Sequence, residues 1–290
     1  MRKAKWRKKI VFILIFLIIL IGLIVFFMTN QKNNNEPKDK PVQTIETSAN
    51  PLENSLKSEK YYIAANHERY LNYAKGRDLE ASKIVADVNA NLDKTKYEDT
   101  TATNINDGNV MLVNKYYYLT EDYQPEGLIT LSAKYNKGIN SQMREEAALA
   151  FMEMSDAATL DNIIIKNASG YRSYQYQVNL YDKYVERDGK KAADTYSARP
   201  GFSEHQTGLV SDINQIDNSF ENTDAFRWLQ QNAYKYGFIL RFPKDKEDIT
   251  GYQYEPWHYR YVGKEVAKQI NEESLTLEEY YAYYVQNKTN

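Results

Sequence analysis

Hydrophobic and polar positions divide this chain into one long apolar run, a polar stretch, and a series of short periodic segments. From Ile10 to Met28, nineteen consecutive residues carry neither charge nor proline. At 1.5 Å per residue, a helix of that length crosses roughly the 30 Å of a hydrocarbon core. Arg2, Lys3, Lys5, Arg7, Lys8 and Lys9 precede it, which places residues 1–9 on the cytoplasmic side and everything after Asn30 outside. The run is longer than the apolar part of a cleaved signal peptide, and no small-residue cleavage pattern follows it. The expectation is an uncleaved transmembrane anchor over 10–28. Residues 29–60 are rich in Asn, Lys, Glu, Thr and Ser and nearly free of aliphatic side chains, so they predict a disordered linker.

Periodicity resumes at Tyr61. Asn66 to Leu71 and Leu79 to Val85 read as short helices, Val110–Val113 with Tyr116–Leu119 as a strand region, and Asn140-Ser141 as the cap of a helix carrying Met143, Ala147, Phe151 and Met154. Asn162-Ile-Ile-Ile-Lys reads as a short buried strand, Ser173–Arg187 as a helix, and Gly208–Ile213 as a strand. Thr223–Tyr236 is a helix stopped by Gly237, with Phe238 opening a strand; another strand is expected over Gln253–Tyr259, and further helices follow from Val262. Helices mixed with antiparallel-looking strands predict an α+β fold: a small antiparallel sheet carrying a metal site, flanked by helices. The outer portion divides into an N-terminal part, 61–135, and a catalytic domain, 136–290.

Composition narrows the chemistry. Of 37 Lys+Arg, six sit in the basic tip, and the remaining 31 face 39 Asp+Glu; nucleic acid is therefore an improbable partner. With no cysteine, disulfides, a lipid-modified cysteine and thiol catalysis are all excluded. There is no Ser-x-x-Lys or Lys-Thr-Gly of a serine penicillin-binding enzyme.

Two segments carry candidate chemistry: Ser203-Glu-His205-Gln-Thr-Gly208-Leu-Val-Ser-Asp212, and Glu255-Pro-Trp-His258. A hydrolytic zinc takes three ligands from His, Asp or Glu and leaves one position to water, whose pKa falls to about 7. His205, Asp212 and His258 would be the ligands and Glu255 the general base. His205 and Asp212 are seven apart across a glycine, so they meet only if the chain turns near Gly208 and returns as a strand. Pro256 keeps the second segment out of regular helix. A lone histidine beside Tyr or Trp is more often packed than ligating; here two of only three histidines each stand beside acids at useful offsets. His67 reads as structural, Asp217, Glu221 and Asp224 as solvated, and Tyr254, Tyr259 and Tyr261 as candidates to line a groove.

Ser-x-His-x-x-Gly-x-x-x-Asp followed by Glu-Pro-Trp-His-Tyr-Arg-Tyr-Val-Gly resembles the VanY-type D-alanyl-D-alanine carboxypeptidases and their LdcB/DacB-type LD-carboxypeptidase relatives, zinc enzymes that trim peptidoglycan stem peptides. Ser169-Gly-Tyr-Arg172, Gln177, Arg199-Pro-Gly, Tyr236-Gly-Phe-Ile-Leu-Arg, Ile249-Thr-Gly-Tyr and Leu112-Val-Asn-Lys115 extend the likeness over roughly Tyr61 to Tyr284. The resemblance implies His205, Asp212 and His258 as zinc ligands, Glu255 as base and Arg172 as the group that steadies the oxyanion. It places Gln177, Ser203 and Trp257 where they could orient the stem peptide. Val210 and Ser211 depart from the family's usual residues between the glycine and the aspartate. The implied activity is removal of a C-terminal D-alanine, with tetrapeptides favoured by an LD-carboxypeptidase; a DD-carboxypeptidase on pentapeptides, a wall endopeptidase and an inactive wall-binding scaffold are the alternatives. A monomer on the outer face of a Gram-positive membrane is expected.

Overall fold

The computed structural model describes residues 51–286. The basic tip, the expected anchor over 10–28 and the linker as far as residue 50 lie outside the described residues. Among the described residues no helix is long and apolar enough to cross a membrane. From Leu52 onward the chain forms one compact unit, so residues 61–135 do not stand apart from the catalytic part.

The elements, in chain order, are α1 (Pro51–Ser58), α2 (His67–Ala74), α3 (Ala81–Asn89), β1 (Thr101–Ala102), β2 (Tyr117–Tyr118), β3 (Leu128–Thr130), β4 (Asn136–Asn140), β5 (Gln142–Arg144), α4 (Glu145–Leu160), β6 (Asn167–Ser169), α5 (Tyr174–Asp188), α6 (Lys190–Tyr196), β7 (Val210–Ile213), α7 (Asp224–Asn232), β8 (Phe238–Leu240), α8 (Glu247–Thr250), β9 (His258–Tyr261), α9 (Lys264–Glu273) and α10 (Leu277–Tyr280). The mixed helix and strand content agrees with expectation. The main sheet has the order β4-β6-β7-β9-β8. It is mixed rather than antiparallel, because edge strand β4 runs parallel to β6.

One face of this sheet is apolar. Leu209, Ile213, Phe238 and Tyr259 pack there against Phe151, Met154 and Ala158 of α4 and Leu229 of α7. The alanines of α4 let its backbone approach closely, and Glu145 and Glu146 in its first turn suit the positive end of the helix dipole. Ser211 shares the buried face, and its hydroxyl donates to Asn167 Oδ1 at 2.8 Å, so the departure at this position costs no unsatisfied polar group. Pleating turns Asp212, His258 and Arg260 to the opposite face.

Several boundaries differ from expectation for identifiable reasons. Residues 51–58, expected to be linker, form α1, and Leu56 is fully buried in a cluster with Tyr70, Ile84, Val85 and Val88. Val110–Val113 is not a strand, although Met111, Leu112 and Val113 are buried. Its carbonyls are served by side chains instead, with Arg260 donating to Met111 O and Thr103 Oγ1 to Leu112 O. Asn140 ends β4, Ser141 links it to β5, Met143 belongs to β5, and the helix starts only at Glu145 without a side-chain cap. Asn162–Lys166 makes no ladder, since Asn214 holds Ile164 O and Lys166 N with its side chain; the strand begins at Asn167.

Candidate metal centre and active-site cleft

Strand register assembles the site. Asp212 of β7 is paired with Ser169 of β6 on one side and His258 of β9 on the other, so three polar side chains from three strands form a row on one face. His205 arrives from a single 3₁₀ turn, Glu204–Thr207, closed by Gly208 in the left-handed region at φ 71°. This is the reversal that the seven-residue spacing required. Glu255 and His258 bracket a turn in which His258 N donates to Glu255 O at 3.2 Å. Pro256 has no N–H for a ladder, so β9 starts at His258 rather than at Gln253.

His205, Asp212 and His258 each offer one potential ligand atom, and these atoms all lie within 4.8 Å of one another. His205 Nε2 is 3.4 Å from Asp212 Oδ2, and His258 Nδ1 is 3.2 Å from Asp212 Oδ1. Ligands at 2.0–2.1 Å from a tetrahedral ion stand roughly 3.3–3.4 Å apart, so these spacings fit zinc. Asp212 Oδ1 is buried and has no hydrogen-bond partner, an orphan that a cation would satisfy. His205 Nδ1 lies 2.7 Å from Gly170 O; donation there leaves Nε2 free to ligate.

Glu255 Oε2 lies 3.4 Å from His258 Nδ1. Burial pushes its carboxyl up to about 7, with Asp212 and Glu204 adding to the rise against His258 and Arg172. Burial lowers His205 to about 4, helped by the Arg172 charge. For His258 burial acts downward, but Asp212 and Glu204 outweigh it and raise the ring to about 9. Asp212 is held far below the usual carboxylate range: burial opposes this, and His205, His258 and Arg172 together overcome it.

Arg172 donates from Nη2 to Asp212 Oδ2 at 2.7 Å and from Nε to Ser169 Oγ at 3.0 Å. With Gln177, Ser203, Glu255 and Trp257 it lines a cleft of about 300 Å³ over His205, Asp212 and His258. Gln177 donates to Ala198 O at 2.8 Å, while its own Oε1 is buried without a partner. Trp257 also packs into the main core. The expected groove tyrosines are placed elsewhere: Tyr259 is 1% exposed within the core, Tyr261 packs on Phe238, and Tyr254 lies beneath Lys244. Tyr184, Tyr196 and Tyr252 line the cleft instead. His67 meets the Tyr62 hydroxyl at 2.9 Å, remote from the cleft residues in sequence and contacts, and Asp217 caps a turn at Ser219 N.

Sequence reasoning passed over Glu204. Its carboxylate is buried, with Oε1 accepting from Arg241 Nε at 2.9 Å and from Arg260 Nη1 at 2.7 Å. Its position beside His205 was the one available signal.

A mixed sheet presenting two histidines, an aspartate and a neighbouring glutamate to a cleft defines a metallopeptidase-like site. The family described as VanY, D-alanyl-D-alanine carboxypeptidase, matches residues 140–264. YodJ of Bacillus subtilis (strain 168) is 48% identical over 179 residues, covering 59% of this chain and 66% of that protein. The solved LdcB LD-carboxypeptidase is 42% identical with a TM-score of 0.60, covering 65% of this chain and 92% of that one. A VanY D,D-pentapeptidase from a VanB-type resistance cassette, solved in complex with Zn(II), is 38% identical with a TM-score of 0.52, covering 59% of this chain and 98% of that one. The chain belongs to the VanY family of D-alanyl-D-alanine carboxypeptidases. It spans between 51% and 66% of the length of the first three curated relatives it matches.

Proposed function

We propose that this chain is a zinc-dependent peptidoglycan carboxypeptidase that removes the C-terminal D-alanine from stem peptides, acting as an LD-carboxypeptidase on tetrapeptides. The observation that carries the reading is the convergence of His205, Asp212 and His258 around an unpartnered Asp212 Oδ1, with Glu255 alongside. His205 Nε2, Asp212 and His258 Nδ1 would hold the ion. When bound, zinc supplies a Lewis acid for water and for the scissile carbonyl.

The chain's own groups supply the rest. Glu255, buried and poised near 7, accepts a proton from the attacking water and returns it to the leaving amine. The water oxygen adds to the carbonyl carbon as the carbonyl electrons move onto oxygen; collapse of that tetrahedral oxyanion breaks the C–N bond, and free D-alanine leaves. The Arg172 guanidinium, held in place by Asp212 and Ser169, brings a permanent charge to the cleft where the oxyanion develops. Gln177 Oε1 offers a free acceptor to the peptide, Ser203 a hydroxyl, and Trp257 an apolar wall. Support for tetrapeptides comes from the likeness to LdcB; the likeness to the D,D-pentapeptidase supports a second reading, cleavage of pentapeptides.

The reading extends to a monomer tethered by residues 10–28 on the outer face of a Gram-positive membrane, with peptidoglycan and not nucleic acid as its partner. Membrane fractionation of the full chain and of one lacking residues 1–30 tests the tether. Incubating the protein with defined tetrapeptide and pentapeptide muropeptides, with and without chelator, and following D-alanine by mass spectrometry tests the activity. Chelator-sensitive release supports the carboxypeptidase, and the preferred peptide names the bond. Release of fragments larger than one amino acid would make it an endopeptidase, and no turnover by the zinc-loaded protein would overturn the reading.

A further inference from the structure

The two histidines of the metal centre are oriented by different means. His205 has a backbone carbonyl behind it, whereas the rear of the His258 ring faces a buried carboxylate. His258 Nδ1 is turned toward Asp212 and Glu255, so a metal would take that nitrogen and Nε2 must carry the proton. Nε2 is buried and has no hydrogen-bond partner, and the same holds for Glu204 Oε2. These two unpartnered atoms face each other at 3.6 Å, a gap somewhat longer than a hydrogen bond.

The two oxygens of Glu204 have divided tasks. Oε1 accepts from both Arg241 and Arg260, which leaves Oε2 to His258. Arg241 is gripped on its far side by Glu278 of α10, at 2.8 and 2.6 Å. Arg260 donates as well to Asn109 O and Met111 O, at 3.0 and 2.9 Å. Two acids and two guanidiniums thus form a neutral, fully buried quartet, a construction that resists displacement of any one member. The Phe242 ring packs against the His258 ring with centroids 4.8 Å apart, which limits the imidazole to small rotations.

We propose that Glu204 is a positioning residue: its Oε2 accepts the Nε2–H of His258 when metal is bound, fixing the tautomer and orientation that present Nδ1, while Arg241, Arg260 and Glu278 hold the carboxylate from behind. The inference rests on the zinc reading given above. A carboxylate behind a ligand imidazole also strengthens its donation to the metal, and loss of such a partner typically weakens metal affinity about 10–100-fold.

The test is Glu204→Gln. The amide oxygen must face the two guanidiniums, which turns the amide NH₂ toward His258 Nε2, so two donors oppose each other and the Nδ1-ligating tautomer is disfavoured. Zinc affinity, measured by competition with a chromogenic chelator on protein shown to be folded by near-ultraviolet circular dichroism, is expected to fall about 10–100-fold. A folded variant within twofold of the wild type overturns the proposal. If the variant does not fold, the wild type decides. With only three histidines in the chain, nitrogen-15 spectra of the zinc-loaded protein resolve His258, and an exchange-protected, downfield Nε2–H is expected. A freely exchanging Nε2–H, or metallation at Nε2, overturns the inference. A wild-type protein that binds no zinc defeats the underlying functional reading instead, so the two failures are distinguishable.

Discussion

Two glutamates lie against His258 and are driven in opposite directions. Glu255 has burial without a full set of partners and rises to about 7. Glu204 is equally buried, yet Arg241, Arg260 and His258 overcome its desolvation and hold it ionised. Opposed environments of this kind separate a proton carrier from a fixed charge. Glu255→Gln is accordingly expected to keep zinc within a few-fold of wild-type affinity while kcat for D-alanine release drops about 10²–10⁴-fold; loss of zinc along with activity would make Glu255 a ligand rather than a base. His205, Asp212, His258 and Glu255 were legible because histidine is so scarce here and both segments carry acids. Glu204 was not legible, since a lone glutamate reads as surface unless its cations are known, and those are 37 and 56 residues away in the chain.

At the level of elements, the turn at Gly208 decides whether the first metal segment can work. Its φ of +71° lies in the left-handed region, and an added Cβ would meet Leu128 Cδ2 at 3.0 Å, Arg144 Cγ at 3.1 Å and Arg144 N at 3.3 Å. Gly208→Ala therefore carries both backbone strain and a clash with β3 and β5, and is expected to destabilise the fold by about 1–3 kcal/mol. Chemical denaturation measures this, and an unchanged midpoint would show that the turn relaxes freely. The helices expected over Ser173–Arg187 and Thr223–Tyr236 form, and the structure adds that Ser173 and Thr223 cap them, accepting from Tyr176 N and Phe226 N. Val110–Val113 was misread because an apolar run does not say which groups satisfy its backbone, and Asn162–Lys166 because its apolar run is not even buried throughout: Ile165 is, but Ile164 is 69% exposed. In both places side chains serve the backbone, one from nearby and one from far along the chain: Thr103 and Arg260 in the first, Ser155 and Asn214 in the second.

Across the whole molecule, the region before the catalytic motifs is built into the fold rather than placed ahead of it. Tyr61 stacks on Tyr283 at 3.7 Å, and its hydroxyl donates to Glu273 at 2.8 Å, tying α1–α3 to the C-terminal helices. Leu56→Ala should cost about 2–5 kcal/mol in denaturant unfolding while leaving kcat unchanged; an unaltered stability would show that α1 is dispensable. Lys115 connects this region to the cleft. It is 4% exposed, with Nζ donating to Asp194 O at 2.5 Å and lying 4.3 Å from the ring of Tyr252 on the cleft wall. Burial, with Lys96 adding to it, pushes its ammonium down to about 8 from 10.5. Below pH 8 both folded and unfolded chains hold the proton, and the fold bears the full cost of a buried charge. Between pH 8 and about 10.5 the folded chain releases it first, the unfolded chain binds more protons, and stability rises with pH. Above 10.5 neither state holds it and the contribution levels off. Buried tyrosines titrate in the opposite sense in this range, so the informative quantity is a difference. The stability of wild type minus that of Lys115→Met, from urea unfolding at pH 7 and pH 10, is expected to shift toward the wild type by about 1–3 kcal/mol. A difference that stays flat would mean that Lys115 keeps its ordinary charge, and that the Asp194 carbonyl and the Tyr252 ring solvate it as well as water does.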